Sequence, residues 1–467
     1  MKKYIYLLKN IGLLTIGSFA SKLLSFFLVP LYTSILTTRD YGIYDIFNTT
    51  ILLLTPILTA GIIEALLRFP LTNRKDKDII FLVGMKYFWI GFFLLLIVCF
   101  INYFWTFNSI LKQYTVLFIA LYFTSTLAQI LQTYARGIEM VAALAISGIV
   151  SSVVIIVLNI WFLVYLRLGL YGYFLANILG MLAAIIYLFI SLNIWKIKPF
   201  SKRNDEKLEK DMLKYGFPTI ANSISWWVNN AADRYIIINL FGFAANGIYS
   251  VSYKIPSIMN VFQNIFNQAW SISAVQEFDS NDTSGFYKNI YIFTNVFMGM
   301  ICSILIMTTK TFAHFLYRDQ FYTAWKYVPF LLISVLFGSL VGILGGIFIA
   351  VKDSKRLGIS TTIGAITNIF FGITLSIILG PIGAALGTTI SYIIVWIMRI
   401  IDVKKYMKLE LNLCRDIVTY CILGMQSVLL IYTNLGNTVQ AMLFIIIIVI
   451  NYKEIMSLIG ILRKKSF

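Results

Sequence analysis

The sequence is dominated by a succession of apolar runs of about 20 residues, separated by short polar segments. A helix of that length crosses the roughly 30 Å hydrocarbon core of a bilayer. Read in order, the runs predict about fourteen transmembrane helices, of which the seventh and eighth are expected at 214–240 and 245–272. Only helices and closed barrels satisfy their backbone hydrogen bonds within lipid. We therefore expect an all-α integral membrane protein.

Charge gives the expected orientation. An even number of spans places both termini on one side, and most of the 38 lysines and arginines fall in connections on that side. The positive-inside rule makes it the cytoplasm. The net charge of +18 then indicates contact with anionic membrane lipids and not a nucleic-acid partner. The first apolar run, 10–35, is too long for a signal peptide and is expected to stay as the first helix.

A faint internal repeat predicts two lobes. The segment 40–44 recurs at 245–249, and the segment 168–172 is echoed at 379–383, with offsets of 205 and 211 residues. Each offset covers six predicted helices, so both copies cross the membrane in the same sense and are related by a pseudo-twofold axis along the membrane normal. The predicted parts are an N-lobe of six helices (1–197), a cytoplasmic linker (198–213), a C-lobe of six helices (214–405), and two C-terminal helices with a cytoplasmic tail (406–467).

Polar residues recur at helical spacing on four of these helices. Such faces avoid lipid, so they either line a water-filled cleft between the lobes or form hydrogen bonds between helices. Their concentration on matched helices, together with buried charge, favours the cleft. The predicted faces comprise Thr15, Ser18, Lys22 and Ser25; Asp45, Asn48, Thr49, Thr55 and Thr59; Asn222, Trp226, Asn229 and Asp233; and Tyr253, Ser257, Asn260, Asn264 and Asn267.

Ionisable residues inside predicted spans are costly and mark candidate functional positions. Lys22 lies roughly 18 Å from either end of its helix, beyond the reach of a snorkelling lysine. Lys254 lies roughly 14 Å deep. Each either binds an anionic ligand or forms a structural ion pair, and the same choice applies to Arg234. The acids Asp45, Glu64 and Asp233 either pair with a base or take up a coupling H+ or Na+.

Motifs for chemical catalysis are missing from the sequence. There is no phosphate-binding GxxxxGK[ST] loop, no HExxH zinc motif and no GxSxG nucleophile motif. The four cysteines show no CxxC spacing, and His314 is the only histidine. We therefore expect a protein that is not an enzyme and has no cofactor, metal site or disulfide.

Several segments carry a family resemblance: 17–22 (GSFASK), 26–32 (FFLVPLY), 40–44 (DYGIY), 215–218 (YGFP) and 233–235 (DRY). They resemble bacterial polysaccharide flippases of the Wzx type. Those belong to the multidrug/oligosaccharidyl-lipid/polysaccharide (MOP) exporter superfamily, alongside lipid II flippases and MATE drug exporters. The resemblance implies a MATE-like pair of lobes in the bacterial inner membrane. It also implies outward movement of an undecaprenyl-diphosphate-linked oligosaccharide, whose diphosphate is held by cationic residues of the first and eighth helices. Lys22 and Lys254 match these positions.

Together these inferences give one hypothesis and two alternatives. Lys22 and Lys254 bind the diphosphate with support from Arg234, and the remaining candidates contact the sugars: Asn229, Asn260 and Asn264 through hydrogen bonds, Trp226 and Tyr253 by stacking. Expected partners are membrane lipids and polysaccharide polymerase machinery, with O-antigen or capsule as a possible product. The alternatives are a cation-coupled multidrug exporter and, disfavoured by the short loops, a membrane glycosyltransferase or polymerase.

Overall fold

The computed structural model describes residues 26–72, 76–197, 206–276, 279, 281–283, 285–433 and 437–457, and every regular element in these ranges is helical. The first half of the chain forms α1 (Val29–Ile35), α2 (Thr38–Leu58), α3 (Ile62–Thr72), α4 (Lys77–Trp105), α5 (Ser109–Gln113), α6 (Thr115–Gly137), α7 (Val141–Asn159) and α8 (Gly169–Ser191). They are followed by α9 (Glu206–Ser252), α10 (Pro256–Gln276), α11 (Phe286–Leu316), α12 (Val328–Ala350), α13 (Ser354–Leu379), α14 (Ile382–Val403), α15 (Leu413–Tyr432) and α16 (Asn437–Ile450).

Eleven helices in the described part of the chain are long and apolar enough to cross a membrane. They coincide with predicted spans, which confirms the all-α membrane class. The predicted count of fourteen is not reached, for three reasons. Most of the predicted span 10–35 lies outside the described residues. Helix α16 has only 14 residues. The two predicted spans 214–240 and 245–272 are joined through α9.

Helix α9 is a hairpin and not a single rod. Its 47 residues contain one non-helical position, Gly242, with φ 85° and ψ 178°. The hydroxyl of Tyr249 donates a hydrogen bond of 2.7 Å to the carboxylate of Asp233. In an uninterrupted helix those residues would stand roughly 24 Å apart along the axis. The chain therefore reverses at Gly242, where the two predicted spans meet.

The second arm of the hairpin is interrupted before α10 begins. Residues 253–255 form a turn, in which the amide of Lys254 donates to the carbonyl of Val251 (2.9 Å). Pro256 explains this break, because proline has no N–H and disfavours helical geometry in the preceding residue. The predicted continuous span 245–272 is thus wrong at this point, and Lys254 lies in a turn.

Both copies of the second repeat form the same kind of turn. Gly169 and Gly380 have φ of 53° and 74°. Gly169 is the first residue of α8, and Gly380 ends α13 two residues before α14 begins. The left-handed region strongly favours glycine. The echo between 168–172 and 379–383 therefore reflects a shared requirement of backbone geometry.

The chain divides into two compact units, one up to Trp227 and one from Val228 onward. In the first unit, the ring of Tyr44 packs against Tyr173 (4.5 Å) and Phe174 (5.1 Å) on α8. In the second unit, α12 is the most deeply buried span, and α10, α11 and α14 pack around it. The predicted lobe and linker boundaries remain predictions.

Helices α15 and α16 are tied to the second unit by buried polar contacts. Ser303 on α11 donates to the side-chain oxygen of Gln426 (2.8 Å), and the amide of Gln440 donates to the backbone carbonyl of Gln426 (3.3 Å). All three residues are buried. Hydrogen bonds of this kind hold membrane helices together, because lipid offers no alternative partner.

A close backbone approach in the first unit generates a stability prediction. A Cβ on Gly216 would lie 2.7 Å from the carbonyl oxygen of Gly61. We expect Gly216→Ala to destabilise the protein by about 1–3 kcal/mol, because backbone atoms cannot rotate away. The apparent melting temperature in detergent measures this. Gly424→Ala on α15 is the control, since a Cβ there meets nothing within 4 Å. Equal melting temperatures for the two variants would contradict the close contact.

Candidate functional site

The predicted site residue Asp233 lies at the centre of a buried cluster in the second unit. Only 2% of its surface is exposed. One carboxylate oxygen accepts hydrogen bonds from the hydroxyls of Tyr249 (2.7 Å) and Tyr253, and the other accepts from the backbone N–H of Arg234 (3.0 Å). The reversal at Gly242 brings the tyrosines back to the carboxylate. The cluster therefore unites three predicted residues, Asp233, Arg234 and Tyr253, with Tyr249.

Arg234 contacts both Asp233 and Tyr253 in the same cluster. Its guanidinium lies 3.5 Å from the Asp233 carboxylate and donates to the carbonyl of Asn230 (3.0 Å). It also lies over the ring of Tyr253, 4.6 Å from the centroid. Ion pairing and cation–π contact both stabilise the guanidinium where water is scarce. The acid and the base compensate each other in charge.

Two asparagines preceding this cluster reach different helices. The amide of Asn229, which is buried, donates to the carbonyl of Thr361 on α13 (3.2 Å). The exposed Asn230 accepts from the hydroxyl of Tyr392 on α14 (3.1 Å). Asn229 therefore links α9 to α13 and is not directed at an open surface.

Arg399 on α14 is a buried arginine that the sequence did not predict as a site residue. Arg399 is only 4% exposed. Its guanidinium donates to the hydroxyls of Ser360 (3.1 Å) and Thr361 (3.1 Å) and to the carbonyl of Val341 (2.7 Å). All three acceptors are neutral, and no carboxylate lies within ion-pair distance among the described residues. An arginine near the end of a predicted span resembles a surface anchor, so sequence alone did not single it out.

Three further predicted site residues lie after the hairpin: Lys254 in the turn, and Asn260 and Asn264 on α10. Lys254 is half-buried in the turn, Asn260 is half-buried and Asn264 is exposed. The side chain of Asn267, one turn further on, packs against Gly342 of α12. A Cβ added to Gly342 would lie only 2.8 Å from the Asn267 side-chain oxygen. The polar face of α10 thus runs from accessible positions to a packed contact with α12.

In the first unit, the structure separates the predicted residues. Trp226 is 49% exposed, Asp45 is half-buried and Glu64 is exposed on α3. Lys22 lies outside the described residues.

Two threonines of the predicted α2 face were wrongly assigned to a cavity. Thr55 and Thr59 are buried. The Thr55 hydroxyl lies 3.2 Å from that of Thr126 on α6, and the Thr59 hydroxyl donates to the Thr55 carbonyl (2.7 Å). Packing between helices, and not hydration, accounts for these two residues.

The second unit contains one buried guanidinium with only neutral partners, that of Arg399, whereas the carboxylate of Asp233 is compensated by Arg234. Within the described ranges, no three His, Cys, Asp or Glu residues are placed to hold a metal ion.

Comparison with known proteins agrees with this architecture. Residues 7–272, more than half of the chain, match the family model described as polysaccharide biosynthesis protein. A search of curated proteins found no match.

The fold is similar to that of several solved transporters. The lipid II flippase MurJ in an inward closed conformation is 17% identical over 97% of this chain and 99% of its own, with a TM-score of 0.68. An inward-facing multidrug resistance MATE family transporter of the MOP superfamily is 14% identical over 82% of this chain and 95% of its own (TM-score 0.64). A MOP superfamily transporter from Pyrococcus furiosus, described as having a binding pocket of reverse polarity, is 13% identical over 86% and 96% (TM-score 0.58).

The family match confirms the family resemblance of the sequence, and the structural similarity extends over nearly the whole chain. The protein belongs to the polysaccharide biosynthesis protein family and has the fold of the MOP superfamily.

Proposed function

We propose that this protein is a flippase that moves an undecaprenyl-diphosphate-linked oligosaccharide across the bacterial cytoplasmic membrane for surface polysaccharide biosynthesis. The observation that carries the proposal is the combination of a polysaccharide biosynthesis family match with the fold of a lipid II flippase. Both termini face the cytoplasm in this proposal, as the positive-inside rule predicts. Movement proceeds by alternating access, without a chemical step.

Recognition of the diphosphate is assigned to Lys22 and Lys254, with Arg234 as support. A charge-assisted hydrogen bond to a phosphate is about twice as strong as a neutral one. Lysine acts as a point charge and accepts several phosphate geometries. Arg399 adds a fixed positive charge to the second unit, and three of its five N–H donors are already engaged by Val341, Ser360 and Thr361.

The sugars are assigned to accessible polar and aromatic side chains. Asn264 is exposed, Asn260 is half-buried and Trp226 presents about half of its surface (49%). Tyr253 and Asn229 are already engaged, with Asp233 and Thr361 respectively. In this proposal they support the site, while the prenyl tail stays in lipid.

A cation-coupled drug exporter is the second candidate, because the same fold is shared with MATE transporters. Asp233 argues against a cationic drug in the second unit, since Tyr249, Tyr253 and Arg234 already satisfy and compensate its carboxylate. Coupling to H+ or Na+ through Asp45 or Glu64 is compatible with both candidates. A glycosyltransferase or polymerase is disfavoured by the short connections between the predicted spans.

The first test concerns the two lysines. We expect Lys22→Ala combined with Lys254→Ala to reduce outward transport about a hundredfold, since two charged hydrogen bonds contribute roughly 3 kcal/mol. In cells that lack the chromosomal gene, the fraction of lipid-linked oligosaccharide exposed on the outer leaflet measures this at matched protein levels. Lys355→Ala, at an exposed position in the first turn of α13, is the matched control.

The outcomes separate the candidates. Transport by the double variant equal to that of the wild type would remove the lysines from the mechanism. An unchanged leaflet distribution on deletion of the gene would refute the flippase and favour drug export.

The second test concerns Asp233. We expect Asp233→Asn to lower the melting temperature, because the partly buried Arg234 loses its counter-charge, at a cost of up to about 3 kcal/mol. Transport per folded molecule, and its dependence on H+ and Na+, should stay unchanged. Combining Asp233→Asn with Arg234→Gln should recover part of the lost stability, since it removes the uncompensated charge. Loss of ion dependence in a fully stable Asp233→Asn variant would instead make this residue the coupling site.

A further inference from the structure

A groove on the outer surface of the second unit is independent of the predicted transport site. Helices α14 and α15 both pack on α12, and a cavity of about 520 Å³ opens between them. Its walls are Ile397 and Ile401 on one side and Ile417 on the other, all 44–57% exposed. The groove therefore faces the hydrocarbon of the bilayer.

The floor of the groove is preformed. The rings of Phe337, Trp396 and Tyr420 lie in mutual contact, with centroids 4.7–5.6 Å apart. Their polar atoms point away from the groove, because the Trp396 N–H donates to the Tyr291 hydroxyl (3.0 Å) and the Tyr420 hydroxyl donates to Asn295 (2.8 Å). The groove consequently offers an apolar surface that ends at a closed aromatic floor.

One end of the groove carries a charge. Lys404, which follows α14 directly, is the only charged residue among those that line the cavity. Its side chain is exposed and makes no hydrogen bond or ion pair with the described residues. The neighbouring bases are paired, since Lys405 and Arg356 both contact Asp402. A second cavity of about 340 Å³ shares Ile400, Lys404 and Leu413 and is also lined by Glu410, whose carboxylate pairs with Lys288 (3.5 Å).

We propose that this groove binds one anionic phospholipid, with an acyl chain between α14 and α15 and the phosphate on Lys404. A long apolar slot with one cation at its mouth matches an amphiphile whose headgroup is negative. By the positive-inside prediction this end faces the cytoplasm, where anionic lipids supply the headgroup. The prenyl tail of the proposed substrate is a poorer match, because it is far longer than an acyl chain and the aromatic floor closes the groove inward.

Native mass spectrometry of the full-length purified protein tests this. Phosphatidylglycerol and phosphatidylcholine are titrated separately, and the affinity of the first bound lipid is determined. We expect tighter binding of phosphatidylglycerol, which Lys404→Ala weakens about fivefold without changing the affinity for phosphatidylcholine. Ile417→Trp, which fills the groove, should weaken both lipids.

Matched controls separate the groove from general surface effects. Lys355→Ala removes an exposed cation elsewhere, and Ile366→Trp adds the same bulk on the exposed face of α13. Neither should change lipid affinity. Equal effects of Lys355→Ala and Lys404→Ala would overturn the site. Undecaprenyl phosphate is added as a competitor. If it displaces phosphatidylglycerol from the wild type but not from Ile417→Trp, the groove binds the substrate tail, and the phospholipid proposal is overturned.

Discussion

Lipid provides no hydrogen-bond partner, and this constraint explains how most buried polar residues of the protein are arranged. Asp233 is surrounded by two tyrosine hydroxyls and a guanidinium, and Arg415 pairs with Asp416 on the same helix and with Glu454 after α16. Gln426 and Gln440 bond to each other's backbone carbonyls. Each contact is local to two or three helices, so the polar groups also determine which helices pack together.

The sequence predicts the helices well because their cause is local. Hydrophobic length determines where a span lies, and glycines with positive φ, such as Gly169 and Gly380, mark the turns. The interruption before α10 was also encoded locally, by Pro256, but the continuous apolar pattern on either side concealed it. The number of spans is less predictable, since a hairpin such as α9 depends on a single residue, Gly242, adopting a non-helical conformation.

The site was harder to predict, because the direction of a side chain depends on its neighbours in space. Helical spacing correctly placed Asp233 on a polar face, but it gave no sign that Tyr249 would return to it from beyond the turn. The same spacing put Thr55 and Thr59 on a cavity face, whereas the structure buries both of them. A short hydroxyl satisfies itself on its own helix, so spacing cannot distinguish a packed threonine from a hydrated one.

Arg399 is a buried cation whose charge is not balanced by any carboxylate among the described residues. Burial of a guanidinium is costly, and the three neutral acceptors engage three of its five N–H donors without cancelling its charge. Asp233, in contrast, has its charge compensated by Arg234. The positive charge of Arg399 is therefore a fixed property of this part of the fold, whereas a cation near Asp233 would have to displace one of the existing partners of its carboxylate.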